Sequence, residues 1–295
     1  MLPPVNVPLK ISLKIAGLLL LATVACAEPD AQAQAAVAGT PPGVKEPEKN
    51  WRLGVALGFG ERTNPLIQSD DIPVIVDLDI AWFGERWFFD NGDLGFSLVD
   101  RPAFTINTIA RVNTDRAFFS KTNTKYINFQ YLANGQTGGL AGDNIQAFKP
   151  PKRDYAVELG LETLFDGEWG AASVHGFRDV SGTHDGFEIG ANYSYRFTRG
   201  RFSLEPSVGV AYKSRKLSDY YWGVHADEAG LLIAEYHVDD GIGWEGGLRA
   251  SQYLTKDLRL AMSLNYEQLQ HSIANSPLVK DDHVLGYYAG LAWTF

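Results

Sequence analysis

From Trp51 to the C-terminus the chain repeats one pattern: stretches of about ten residues in which every second position is apolar. The last stretch, "HVLGYYAGLAWTF", sets Leu285, Tyr287, Ala289, Leu291, Trp293 and Phe295 against Gly286, Tyr288, Gly290, Ala292 and Thr294. A period of two is that of a β-strand, whose successive side chains point to opposite faces. Earlier stretches repeat it. Trp51, Leu53, Val55, Leu57 and Phe59 share a face, as do Ile72, Val74, Val76, Leu78, Ile80 and Trp82, with Asp77 and Asp79 opposite. Phe187, Ile189, Ala191, Tyr193, Tyr195 and Phe197 stand against Glu188, Asn192, Ser194 and Arg196. Phe202, Leu204, Val208 and Val210 oppose Glu205 and Lys213, and Leu258, Leu260, Met262 and Leu264 oppose Arg259, Asn265 and Glu267.

Alternation alone fits either a soluble sandwich or a membrane barrel, because both put apolar and polar residues on opposite faces. Three features favour the barrel. Aromatics sit near strand ends (Trp51, Phe59, Trp82, Phe187, Phe197, Trp293, Phe295), as interfacial girdles require. Connections alternate between short ones ("TRG", "TKD", "FGE") and long ones such as 216–241, and the chain carries an export segment. Strands of ten residues cross a bilayer when tilted, whereas no apolar run reaches the roughly 20 residues of a spanning helix. The expected fold is all-β, a transmembrane antiparallel β-barrel of twelve strands with short periplasmic turns and long external loops.

Parity fixes the count. Seven strands are expected near 155–165, 169–179, 185–198, 201–214, 241–254, 257–269 and 284–295, which leaves 113–154 outside the cell. Strands near 51–60, 72–83 and 102–112 precede it. "RWFFDNGDLGFSLV" supplies two more if "DNGD" is a tight turn; alternatively 85–99 is one strand and another lies near "TKYINFQYL".

Residues 1–27 read as a secretory signal: Lys10 and Lys14, an apolar run, then Ala25 and Ala27 for cleavage. Removing them takes away two lysines and no acids, moving the net charge from −9 to −11. Such a chain is a poor nucleic-acid binder. The single cysteine, Cys26, lies within that segment, so cleavage after Ala27 leaves no disulfide; a lipidated Cys26 is the rival reading. Residues 28–50, with several prolines and few large apolar residues, read as a flexible periplasmic leader, and 51–295 as the barrel.

The strand faces turned from lipid carry Asp77, Asp79, Glu158, Glu162, Glu188, Glu205, Glu245 and Glu267 beside Arg52, Arg111, Arg178, Arg196, Arg201, Lys213, Arg249 and Arg259. Eight acids with eight bases suggest a mutually neutralised interior, either an ion-pair network that fills the lumen or the lining of a narrow channel for small solutes. Asp179 with His184 in "RDVSGTHDGFEIG" has the residue types of a surface hydrolase, but also those of a turn closed by Asp179, Ser181 and Thr183. His225, Asp227, His237, Asp239 and Asp240 share one long loop, with a spacing that matches no calcium or zinc pattern. No catalytic residue, cofactor or metal is expected, and the protein is read as non-enzymatic.

"DVSGTHDG", "SDYYWGVHADEA" followed by "AEYHVDDG", "NSPLV" and the final "YYAGLAWTF" together resemble the MipA/OmpV family, and the resemblance extends from about Trp51 to Phe295. It implies a Gram-negative outer-membrane barrel that serves as a scaffold or interaction protein of the cell envelope, with a lytic transglycosylase and a bifunctional murein synthase as partners in peptidoglycan synthesis and hydrolysis. The recurrent positions it implies are Asp179, Gly182, His184, Gly186, Tyr220, Tyr221, Gly223, Val224, Ser276 and Pro277, none of them catalytic. Insertion 113–154 is longer than the family pattern. Outer-membrane lipid and the barrel assembly machinery are the other expected partners, the latter reading Tyr287, Leu291, Trp293 and Phe295 at the C-terminus. Tyr220, Tyr221 and Trp222 either plug the barrel from within or serve the cell surface.

Overall fold

The computed structural model describes residues 50–119, 151–229 and 233–295, all within one compact unit, Gln34–Phe295. The signal segment, nearly all of the leader, the centre of insertion 113–154 and the alternative strand "TKYINFQYL" lie outside the described residues.

The strands are β1 (Trp51–Arg62), β2 (Ile72–Phe83), β3 (Trp87–Asp90), β4 (Asp93–Arg101), β5 (Phe104–Val112), β6 (Val157–Gly167), β7 (Gly170–Asp179), β8 (Phe187–Ser194), β9 (Phe197–Arg199), β10 (Phe202–Lys213), β11 (Gly241–Tyr253), β12 (Leu258–Gln268) and β13 (His283–Thr294). Each pairs antiparallel with its neighbours, and β13 meets β1 in register from Gly54↔Thr294 to Arg62↔Gly286. The sheet is therefore a closed ring with no free lateral end, which is how β-structure survives in lipid.

β8 and β9 are one stave interrupted at Tyr195–Arg196, so the barrel has twelve staves. The cause lies opposite. Tyr195 N–H donates to the Pro206 carbonyl at 3.1 Å, but Pro206 has no N–H to return. The ladder loses one rung there. Between β3 and β4, Asn91 and Gly92 adopt φ of 49° and 109°, the paired positive angles of a tight hairpin turn. The reading of "DNGD" as a turn is thus the one that forms, rather than a single strand over 85–99.

The start of β1, the C-terminus and the short connections 84–86, 102–103, 168–169, 200–201 and 254–257 lie at one mouth, whereas the tight turn 91–92 faces the other way. The described parts of the long connections, 63–71, 113–119, 151–156, 180–186, 214–229, 233–240 and 269–282, lie at the other, here called the far mouth. Contacts between non-adjacent staves identify the inner face: Arg111 on β5 reaches Glu188 on β8 at 2.8 Å, and Arg62 on β1 reaches Glu267 on β12 at 3.6 Å. The opposite face is apolar and exposed at Leu159, Leu161, Ile189, Val208 and Val210. Ring pairs mark two belts on it: Trp51–Trp82, Trp87–Phe96 and Trp169–Tyr193 toward the terminal mouth, and Phe59–Tyr287, Phe187–Tyr212 and Trp244–Tyr266 toward the far one.

Two face assignments need correction. A register shift between Leu57 and Gly60 breaks the alternation of β2, so Val76, Leu78, Ile80 and Trp82 face outward while Val74 and Ile72 pair with Gly60 and Arg62 on the inner face. Arg178 pairs with Leu159 and Phe187, on the outer face at the far rim and not in the lumen.

Candidate functional site

The lumen is not uniformly neutralised. On the arc from β2 to β8 the inward positions include Asp77, Asp79, Asp90, Asp93, Glu158, Glu162 and Glu188, against Arg111. From β10 round to β1 they include Lys213, Arg249, Arg259, Arg52 and Arg62, joined by Arg196 beside the break, against Glu205, Glu245 and Glu267. Arg201, expected among them, lies in the turn before β10 and donates to the Leu254 carbonyl at 3.2 Å. Opposite charge on facing walls sets a transverse field across the lumen. Pairs that neutralise locally are Arg52–Asp79 at 3.0 Å and Arg196 with Glu205 at 2.6 Å, whereas Arg249 stands 3.7 Å from Glu205.

Below the far mouth the acid-rich arc is tied into a hub. Glu158, fully buried, accepts from Arg111 Nε at 2.8 Å and Asn113 Nδ2 at 2.6 Å. The other arm of Arg111 holds Glu188, and its guanidinium lies 3.8 Å from the Phe177 ring centroid. A buried carboxylate with two donors is satisfied, which keeps this part of the wall rigid.

Over the far mouth the long connections fold into a cap with its own apolar core. It is built around helix α1 (Arg215–Trp222), helix α2 (His271–Ala274) and a 3-10 turn, Asp115–Phe119. α1 buries Leu217, Ser218, Tyr221 and Trp222, positions four apart on one face. Around them pack Leu66, Phe118, Val224, Ile233, Val238, Leu269, Ile273, Leu278 and Val284, drawn from four connections and the start of β13. Burying a large side chain of this kind contributes about 2 kcal/mol. Tyr221 and Trp222 lie within this core, and Tyr220 packs partly buried against it.

Polar contacts join the cap to the wall. Buried Asp115 accepts from Lys213 Nζ at 2.7 Å and from Trp222 Nε1 at 3.2 Å, and the Arg62 guanidinium stands 4.4 Å over Phe118. Arg153 finishes α1: it donates to the carbonyls of Tyr221 at 3.2 Å and Gly223 at 2.9 Å, and pairs with Glu228. Cations belong at a helix C-terminus, where carbonyls lack intrahelical donors. Burial alone would raise the Glu228 carboxyl, but hydrogen bonds from Arg153 and the His225 N–H hold it below the usual carboxylate range. Burial also pushes the Tyr221 hydroxyl up, with Asp115 adding to the effect.

The positions singled out by the resemblance lie in or beside this cap. Asp179 closes the 180–186 turn, accepting from Ser181 N at 2.8 Å, His184 N at 2.7 Å and Asp185 N at 2.9 Å. Gly182 takes φ 74° within that turn. Gly186 lies so near α1 that a Cβ would sit 2.6 Å from Leu217 N, and one on Gly223 would sit 2.4 Å from the Asp219 carbonyl oxygen. Val224 exchanges backbone bonds with Tyr236 at 2.8 and 3.0 Å. Ser276 donates to the Trp222 carbonyl and accepts from Leu278 N across Pro277. Tyr287, Leu291, Trp293 and Phe295 occupy outward positions, and Phe295 N–H donates to Leu53 at 2.8 Å.

This geometry opposes the hydrolase reading. Asp179 is occupied by backbone donors, and it contacts the main chain of His184, not the imidazole. His184 Nδ1 accepts from Gly186 N at 2.9 Å, and its Nε2 lies 3.5 Å from Glu158 with its side chain fully buried. In the long loop His225 and His237 flank Asp219 at 3.5 and 3.3 Å, while Asp240 accepts from Tyr212. Among the described residues no group of three or more such side chains is placed to hold a metal ion. Sequence reasoning missed Arg153, Asp115 and Asp219, whose roles depend on contacts too distant along the chain for any local pattern to signal.

The family described as "MltA-interacting protein MipA" matches residues 53–295. OmpV of Vibrio cholerae is 27% identical over 128 residues, covering 43% of this chain and 50% of that protein, and Omp26La of Vibrio anguillarum is 26% identical over 129 residues, covering 44% and 50%. The chain thus spans about half the length of these relatives. The MltA-interacting protein of Escherichia coli (strain K12) is 22% identical over 242 residues, 81% of this chain and 88% of that one. Among solved structures, the COG4313 outer membrane channel from Pseudomonas putida F1 covers 87% of this chain and 99% of that chain at 11% identity and a TM-score of 0.41. The translocator domain of NalP from Neisseria meningitidis covers 86% and 91% at 11% identity and a TM-score of 0.36. Likenesses at that level carry no argument about function. The relatives are named as outer-membrane or interaction proteins, the family match spans most of the sequence, and the chain belongs to the MipA family as an outer-membrane β-barrel protein.

Proposed function

We propose that this barrel is a closed, non-enzymatic interaction protein of the cell envelope, which holds partners such as a lytic transglycosylase and a bifunctional murein synthase. The observation that carries the reading is the cap, whose apolar core and bonds to Lys213 and Arg62 stand across the far mouth. A wide channel gains nothing from a fixed hydrophobic lid. In this reading the ten motif positions serve to hold the cap, the short turns and the leader meet periplasmic partners, and the outward C-terminal aromatics serve the assembly machinery. A narrow channel is the second reading, favoured by the charge-divided lumen.

Planar-bilayer recording of the refolded mature chain separates the two, with heat-modifiable gel migration as the check of folding. Closed behaviour is expected, together with capture of a purified transglycosylase. Discrete, reproducible steps from the wild-type protein put the channel first, and Arg196→Ala or Glu205→Ala then alters their size.

A further inference from the structure

The cations that the strands turn outward stand at the rims of the barrel. Arg101 and Arg199 are the last residues of β4 and β9, at the terminal mouth. Arg178, next to last in β7, is the outward cation of the far rim among the described strand residues. Leu159 flanks it on one side and Phe187, of the far aromatic belt, on the other, and both are exposed. One row above, the Val180 N–H donates to the Val157 carbonyl at 2.9 Å, and these two side chains are exposed as well. Arg178 therefore lies within the lipid-facing surface and not beyond it.

No carboxylate answers it. Among the described residues Arg178 has no ion pair, and the acids beside it are engaged elsewhere: Asp179 by the backbone of the 180–186 turn, Asp185 by Lys216 at 4.0 Å. A second cation stands above. Tyr155, two residues before Val157, is exposed, and the Arg116 guanidinium lies 4.5 Å from its ring centroid, with Nε and Nη1 free of hydrogen-bond partners. The Tyr155 carbonyl accepts from Thr183 at 3.1 Å, which fixes this strip against the turn above Arg178.

A cation set in an apolar face needs an anion from its surroundings, and at the depth of an aromatic belt a membrane offers the phosphates of its head groups. Arginine suits them, because its fork donates two parallel hydrogen bonds to one phosphate. From Leu159, beside Arg178, to Tyr155 is about 13 Å of extended chain, more than one phosphodiester covers but within reach of a phosphorylated disaccharide. We propose that this strip binds a phosphorylated glycolipid, with a phosphate on Arg178 and the sugar head rising along Tyr155 to Arg116. Which leaflet supplies the lipid follows from the orientation proposed above, with the short turns toward the periplasm; binding in detergent is independent of it.

Titration of the refolded mature protein with lipid A in detergent, read by native mass spectrometry, tests this site. One saturable site is expected. Arg178→Gln, which removes the charge, weakens binding by about tenfold or more, the usual loss for a charge-assisted hydrogen bond. Arg116→Gln weakens it less, and Arg199→Gln, at the other rim, leaves affinity within about twofold. Gel migration of each variant verifies folding. Absence of saturable binding overturns the proposal. So does an equal loss in Arg178→Gln and Arg199→Gln, equal binding of dephosphorylated lipid A, or displacement by phosphatidylglycerol or inorganic phosphate at equal concentration, since none of these leaves the phosphorylated sugar as the group recognised.

Discussion

Wall and cap obey the same physics with opposite signs. In the wall, Leu161, Ile189 and Val208 face outward and Glu158, Glu188 and Arg111 face in; in the cap, Leu217, Tyr221 and Trp222 face in and Lys216 and Asp239 face out. The difference follows from the surroundings. Lipid accepts apolar side chains but no backbone donors, so the wall closes its ladders all round, apart from the rung lost at Pro206, and turns its charges inward. Water accepts both, so the cap needs an apolar core to hold loops together and can leave charge on its surface. One chain therefore contains a membrane fold and a small soluble-type core, joined at Asp115, Lys213, Arg62 and Phe118.

The sharpest way to break this division is Trp222→Ala. It empties the centre of the cap and is expected to cost about 4 kcal/mol there, read as faster amide exchange over 215–240 with the wall amides unchanged. Loss of protection in the wall as well would mean that the cap is not a separate core. Next comes Leu161→Arg, midway along the outer face of β6, expected to lower the folding free energy in vesicles by about 3 kcal/mol because the charge enters lipid; no change would place that face elsewhere. Asp115→Asn leaves the buried Lys213 ammonium without its anion, and a loss of about 2 to 3 kcal/mol in cap stability, with Trp222 fluorescence as the probe, measures how firmly the joint holds. The smallest effect is that of pH. The Glu228 carboxyl is held down in the folded state, so the unfolded loop binds more protons as pH falls below the ordinary glutamate value of about 4.3, and the Arg153 clasp weakens on acidification. Glu228→Gln is expected to flatten that slope in a fluorescence titration.

The two regions also differed in how far they could be read from residues alone. β6 to β13 follow the alternation closely, because a period of two is a local property and lipid enforces it at every position. β2 escaped at Ile72 and Val74, since a bulge is set by its partner strand β1 and leaves no mark on β2 itself. The motif positions stood out as loop residues, yet their convergence did not, because Ser276 meets the Trp222 carbonyl and Asp115 meets Lys213 across 54 and 98 residues. Arg153 was hidden by the same distance, 68 and 70 residues from its partners, and also because those partners include main-chain carbonyls, which every residue carries.

Pro206 also acts as a depth gauge. The Tyr195 carbonyl receives no donor from it, and such a group is tolerable where water can reach but not in hydrocarbon. The waterline of the barrel therefore lies at or above that rung, among Trp169, Tyr193 and Phe197. From Pro206 to Lys213 the stave climbs roughly 20 Å along the membrane normal, taking about 3.4 Å per residue and a tilt near 40°. That draught suits a thin bilayer, so a thicker one would have to pinch toward this protein along the side where the rung is missing.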